Sequence, residues 1–376
     1  MWWLFYDPLT LFSLILVYVV GFAVLMFAAG YLAPRVARKV ASRFTLQASM
    51  LIIGLSVVLS GLAGIGLIAN ILAGFFEAEI TTGVIVSVIT LIVLLNAISY
   101  FLSPLTINLM YGAKSNPELQ KMVNEVAATL NLAKPPKAVI VRGPPNAFAY
   151  GNFLFGKYVA VSSSLASITP QEELKAIIGH ELGHHKHRDN AIMLFMGIIP
   201  SVLYFMGIFL VRAGMITGYA RSYYSGSSNR RGGGLPLLLA GLVAVSISFI
   251  VQVLVLAFSR LREYYADSAG AYSAGPVPMQ RALARIHLYY SSVSSAKEIV
   301  SGSKLRTLFI YAITEALANP FYHYTPPTRD LRNVDIDRVV EQLKRTSAEE
   351  VSEFFSTHPP IPKRLRFLDT VVLYRS

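Results

Sequence analysis

The chain has 376 residues, of which 54% are apolar and only 14% charged, with a formal charge of +12. Soluble domains hold about a quarter charged residues, so this balance excludes an ordinary soluble globular protein. The basic excess is assigned to residues that flank spans and face anionic lipid, and no basic–aromatic module points to a nucleic-acid partner.

Five segments have the length and apolarity of spanning helices, at about 8–32, 47–75, 82–109, 190–211 and 235–258. Residues 1–7 contain no Lys or Arg, so the first segment is expected as an uncleaved helix rather than a secretory signal. Arg35, Arg38, Lys39 and Arg43 lie between the first two segments, and Glu77 and Glu79 between the next two. Positive-inside reasoning puts the first loop in the cytoplasm, together with the chain after the third span. The loop with Arg221, Arg230 and Arg231 would then lie outside, against the charge rule.

A polar segment separates the third and fourth spans. Residues 117–131 read as an amphipathic helix with Leu119, Met122, Val123, Val126 and Leu130 on one face. Residues 138–142, 146–150 and 158–162 read as short strands, with turns at Gly151-Asn152 and Gly156-Lys157. A helix is then expected with Thr169 as N-cap, Pro170 at its first position and Glu172 closing a capping box. It should run almost straight into the fourth span. Beyond Arg260 the pattern is soluble and helical, with candidates at 278–290, 305–318, 336–344 and a short helix capped by Ser347 and Glu350. Residues 232–234 read as a flexible loop.

The most informative stretch is Gly179-His180-Glu181-Leu182-Gly183-His184. Helical residues four apart share a face, so His180 and His184 can converge on one metal ion. Glu181, one residue along, is placed to take a proton from an activated water without being a ligand. Cysteine is absent, so any transition metal must rest on His, Asp or Glu. A catalytic zinc needs a third protein ligand, but a metzincin pattern is excluded because His187 and Asn190 stand where Gly and His would be. The segment from Ser259 to Asp267 follows the fifth span, and a membrane hairpin returns it to the face that carries the first motif. Glu263 is therefore assigned as third ligand, and Asp267, four residues on, as the acceptor that orients a ligand imidazole.

Four stretches together make the chain similar to the HtpX family of membrane zinc metalloproteases, distant relatives of the CAAX prenyl endopeptidases. They are Asn146-Ala147-Phe148-Ala149, the His180–His184 motif with Asp189, Arg262–Asp267, and Thr357-His358-Pro359-Pro360 with Arg364. The resemblance implies a gluzincin-type fold, one zinc per chain, a cytoplasmic active site and quality-control cleavage of misfolded membrane proteins. It further implies that Asn146–Ala149 is an edge strand binding extended substrate. By themselves those residues say only a strand or loop. His358 resembles a late His-Pro element able to stabilise the oxyanion, and Arg364 is placed with the substrate-binding group.

The expected architecture is a mainly α-helical integral membrane protein with about five spans and a cytoplasmic α+β zincin-like domain. It divides into a membrane region (1–110), the first catalytic half (111–189), a membrane hairpin (190–260) and the second catalytic half (261–376). The alternatives are a CAAX-prenyl-protease-like enzyme, an intramembrane protease and a non-enzymatic metal-binding membrane protein. The intramembrane reading would bury Glu172, Glu173, Lys175, Lys186, Arg188 and Asp189 in lipid, at several kcal/mol each. The binding-protein reading leaves Glu181 without a role.

Overall fold

The computed structural model describes residues 43–73, 78–143, 145–224, 234–292, 334–346 and 358–371. The expected first span, the helix at 305–318 and the short helix after Ser347 lie outside the described residues. Two apolar helices come first, α1 (Arg43–Ala73) and α2 (Ala78–Met110). Among the described residues, three stretches are long and apolar enough to cross a membrane: Ile89–Met110, Asp189–Thr217 and Leu235–Ala274. The last two contain the expected fourth and fifth spans, and the first covers residues 89–109 of the expected third. The expected second span lies along α1, whose apolar run is the shorter Met50–Gly66.

After α2 comes a sheet of β1 (Lys114–Ser115), β2 (Lys137–Val141), β3 (Ala147–Asn152) and β4 (Gly156–Ser162), in the order β1-β2-β4-β3. β2 and β4 are parallel, and β3 pairs antiparallel with β4 as an edge strand. The helix α3 (Pro117–Thr129) lies between β1 and β2. It opens on Asn116, whose side chain accepts from the Leu119 N–H at 2.8 Å. Its expected apolar face packs as read, with Leu119, Val123, Val126 and Leu130 buried and Met122 partly so.

A short α4 (Ser163–Ile168) precedes the motif helix α5 (Gln171–Lys186). Thr169 does not cap α5. Because α4 ends at Ile168, the Thr169 N–H closes that helix onto the Leu165 carbonyl at 3.1 Å. The N-cap position of α5 is Pro170, which has no side-chain oxygen to offer, and Thr169 Oγ1 is buried without a hydrogen-bond partner among the described residues. Glu172 and Glu173 instead place negative charge against the first turn.

Helix α5 also does not run straight on. It stops at His187, and Arg188 takes a left-handed φ of 55° before α6 (Asp189–Tyr224) begins. The return helix α7 (Leu235–Ala274) has 40 residues without a break. At 1.5 Å per residue it is about 60 Å long, twice the hydrocarbon thickness of about 30 Å. Its outer half therefore projects beyond the bilayer, and every residue from Val251 to Asp267 is buried. Helices α8 (Pro276–Ser292), α9 (Ile336–Arg345) and α10 (Ile361–Leu368) close over it. A buried bidentate pair from Arg285 to Glu173, at 2.7 and 2.9 Å, ties α8 to α5.

Helices α5 and α7 meet nearly backbone to backbone. A Cβ added at Gly183 would lie 2.9 Å from the Ala269 Cβ and 3.1 Å from the Ala266 Cα. One added at Gly179 would collide with Ser273 Oγ. The same device joins α6 to α7 within the membrane, where Gly207 and Gly241 each abut the other helix's backbone. A larger residue at Gly183 would gain less than about 1 kcal/mol of helix propensity and cost about 1–3 kcal/mol in overpacking. Gly183→Val should therefore lower the thermal midpoint of the detergent-solubilised protein, and an unchanged midpoint would contradict the close packing.

Candidate metal centre

α5 presents His180 and His184 toward α7, which presents Glu263. The two imidazole Nε2 atoms are 3.2 Å apart, and each lies 3.6 Å from an oxygen of the Glu263 carboxylate. The two rings stand nearly perpendicular, at 89°. All three groups can direct a donor atom at one point.

The other nitrogen of each ring is engaged by a carboxylate. His180 Nδ1 lies 3.0 Å from Asp267 Oδ1, and His184 Nδ1 lies 2.6 Å from Asp189 Oδ2. Those partners assign the ring protons to Nδ1. Both Nε2 lone pairs then face each other and a carboxylate across a few ångströms, an arrangement that repels itself unless a cation sits between. Ligand bonds of 2.0–2.1 Å in a tetrahedron put nitrogens about 3.3 Å apart, close to the spacing here.

Charge agrees with this fit. Asp267 is fully buried and held by a bidentate Arg364, with Nε 2.8 Å from Oδ2. Asp189 meets Arg262 Nε at 3.0 Å. Three buried carboxylates (Asp189, Glu263 and Asp267) face these two buried guanidiniums, with Glu181 as a fourth acid beside them, a negative balance that a bound cation would offset.

Glu181 is buried beside this cluster, and its carboxylate accepts the backbone N–H of Ala149 in the edge strand β3. Burial pushes its pKa up to about 7. His184 opposes the rise, Glu263 adds to it, and the Ala149 N–H and His358 also oppose it. Of the neighbouring histidines, His185 is structural. Burial lowers its pKa to about 4, and its Nε2–H donates to the Tyr158 carbonyl at 2.8 Å, fixing α5 to β4. His187 packs edge-on against Tyr265.

His358 and Arg364 arrive from the C-terminal segment. His358 Nδ1 lies 2.7 Å from Glu263 Oε2 while most of its side chain stays exposed. Arg364 does not reach outward as a substrate-side group would. Its guanidinium is buried against Asp267, with Nη1 3.8 Å from Glu263 Oε2. Asn146 precedes β3, its N–H donating to Ser162 Oγ at 2.9 Å, and Ala147, Phe148 and Ala149 form the first half of the strand.

The sequence pattern gives an orienting carboxylate to one imidazole only, and Asp189 supplies the second. Its place depends on the left-handed Arg188, which turns α6 so that its first residue faces back toward His184. An acid five residues past His184, at the foot of an apolar helix, was the available signal. Arg262, which opens the Arg262–Asp267 stretch, is buried against Asp189.

The fold and site define a membrane protein with a two-histidine, one-glutamate centre beside a buried carboxylate. The pattern of Peptidase family M48 matches residues 113–372. Protease HtpX homologs are similar over nearly the whole chain. The one from Pyrobaculum calidifontis is 48% identical over 369 residues, 98% of this chain and 99% of its own. That of Archaeoglobus fulgidus is 45% identical over 374 residues, again 98% and 99%. A crystal structure of S. mikatae Ste24p aligns at a TM-score of 0.45 and 16% identity, covering 87% of this chain and 67% of that one. The chain belongs to peptidase family M48 and is a membrane metalloprotease.

Asp189→Asn and Asp267→Asn keep the shape of each carboxylate but remove its charge. Each should lower metal affinity about 10–100-fold in a chelator competition. Unchanged affinity in both variants would show that these carboxylates do not orient the imidazoles.

Proposed function

We propose that the protein is a zinc-dependent endopeptidase that cleaves membrane proteins, misfolded ones foremost, from a cytoplasmic site. His180, His184 and Glu263 would hold the metal. The observation that carries this is the convergence of two carboxylate-oriented imidazoles and a glutamate on one point, with a second glutamate alongside. Zinc bound there would polarise the scissile carbonyl and acidify a water. Glu181 takes the proton of the attacking water and returns it to the leaving amine, a role suited to a carboxylate raised toward neutrality.

β3 is the edge strand of the sheet and lies beside Glu181, so an extended substrate would pair with it as a further strand. The hydrogen bond from the Ala149 N–H holds Glu181 in register with that strand. Arg364 acts at one remove, keeping Asp267 charged and in place behind His180. The cytoplasmic placement rests on Arg35, Arg38, Lys39 and Arg43 before the second span.

Glu181→Gln should keep about one zinc per chain and lose cleavage of casein or a membrane-protein substrate by about 10²–10⁴-fold. A variant that cuts as well as the parent would sink the assignment. The working base must be deprotonated, so kcat/KM should fall tenfold per pH unit on the acid side. A bound cation pulls the titration of Glu181 downward, so the acid limb should lie at or below about pH 7.

His358 is proposed to stabilise the oxyanion from its exposed ring, its Nδ1 steadied by Glu263. His358→Ala should cut turnover with zinc content unchanged. Loss of zinc in proportion to activity would make His358 a support for Glu263 instead.

A further inference from the structure

The turn between β3 and β4 reads Asn152-Phe153-Leu154-Phe155-Gly156 and carries no charge. Phe153 is 82% exposed and Leu154 62%. Two large apolar side chains at a loop tip would be a liability in water. They do not sit beside a soluble surface. Phe153 packs edge-on against Phe101 of α2, with ring centroids 5.6 Å apart. Phe101 lies nine residues before Met110, so the contact falls about 13 Å inside the end of that span. Higher up, Phe148 packs against Tyr111 and the Tyr150 hydroxyl donates to Asn108. β3 thus runs alongside the last turns of α2, pointing into the membrane layer.

The lock that holds it there is Asn152, which is 2% exposed. Pro104 interrupts α2, and proline removes the N–H that would bond the carbonyl four residues earlier. That carbonyl belongs to Tyr100. Asn152 Nδ2 donates to it at 2.9 Å and to the Phe101 carbonyl at 3.0 Å. Asn152 Oδ1 accepts from the Leu154 and Phe155 N–H groups at 3.0 and 2.9 Å, so both donors and both lone pairs of the amide are used. The Phe155 carbonyl in turn accepts from the Tyr158 hydroxyl at 3.3 Å.

Backbone polar groups survive in hydrocarbon only if satisfied within the protein. Here Asn152 joins Ser103 Oγ (2.9 Å) on the Tyr100 carbonyl, ties the proline-broken span to the turn, and leaves Phe153 and Leu154 facing out at its tip. The exposed face of α2 beside it is equally apolar, with Leu102, Leu105 and Leu109 open.

We infer that the β3–β4 turn is a membrane-inserted element: Phe153 and Leu154 lie in the hydrocarbon of the bilayer, held on α2 by Asn152 at the Pro104 break. This stands on the packing of the turn and does not depend on the metal site. The chain has no cysteine, so Phe153→Cys and Leu154→Cys can each be labelled singly with the NBD fluorophore in the full-length protein. Glu118→Cys, exposed on α3, serves as the aqueous reference. In phosphatidylcholine vesicles both turn labels should emit to the blue of the reference. They should lose most of their intensity to acyl-chain nitroxide lipids and resist aqueous iodide. Two results would overturn the inference. One is emission and iodide quenching at both turn positions equal to those at position 118. The other is protection from iodide without nitroxide quenching, which would mean that protein, not lipid, covers the turn.

Discussion

Everything at the metal centre depends on how closely α5 and α7 approach. The histidines are on one helix and the glutamate on the other, and 3.6 Å between their ligating atoms is possible only because glycines carry the contact. Gly179 and Gly183 sit one turn apart on α5, and each is adjacent to a motif histidine in sequence. The same helical turns that aim imidazoles at Glu263 thus give up the neighbouring side chains to let α7 in. Site geometry and helix packing are written into one hexapeptide, Gly179–His184.

Once the helices touch, buried charge becomes the dominant cost. Isolated ions in such surroundings cost several kcal/mol each, so each must find a partner. The pairs are arranged in depth: Arg364 behind Asp267 behind His180, and Arg262 behind Asp189 behind His184. Two parallel relays, drawn from helices far apart in sequence, meet at Glu263. This arrangement rigidifies the imidazoles and leaves a negative balance that a divalent ion offsets. It also accounts for a C-terminal helix as short as α10 reaching the site, because Arg364 is the innermost charge of one relay.

The parts of this arrangement legible in the sequence were those set by local periodicity. The spacing of His180 and His184, the apolar face of α3 from Leu119 to Leu130, and the i,i+4 relation of Glu263 to Asp267 follow from 3.6 residues per turn. Strands β2, β3 and β4 were readable to within two residues from their β-branched and aromatic content between glycine turns. What escaped were features made by non-local contact or by one unusual dihedral. β1 is two residues long and exists only because β2 is there to pair with. Asp189 faces His184 because Arg188 bends the chain, which no periodicity signals. Thr169 looked like a cap until α4 claimed its backbone. Arg364 was read as substrate-facing, since nothing in a single sequence ties it to Asp267, 97 residues earlier.

The unbroken course of α7 has a mechanical consequence. A rigid rod twice as long as the bilayer is thick must adjust its tilt when the hydrocarbon thickness changes. Its inner half feels that thickness while its outer half carries Glu263 and Asp267. Helix α5, with both histidines, ends before the first residue of the span that follows it, α6, and is separated from it by the bend at Arg188. The two sides of the ligand set therefore have different attachments to the membrane, one stiff and one hinged. Lipid thickness would enter the geometry of this site as a lever arm, resisted by the glycine contact between the helices and by the Arg262–Asp189 and His180–Asp267 pairs.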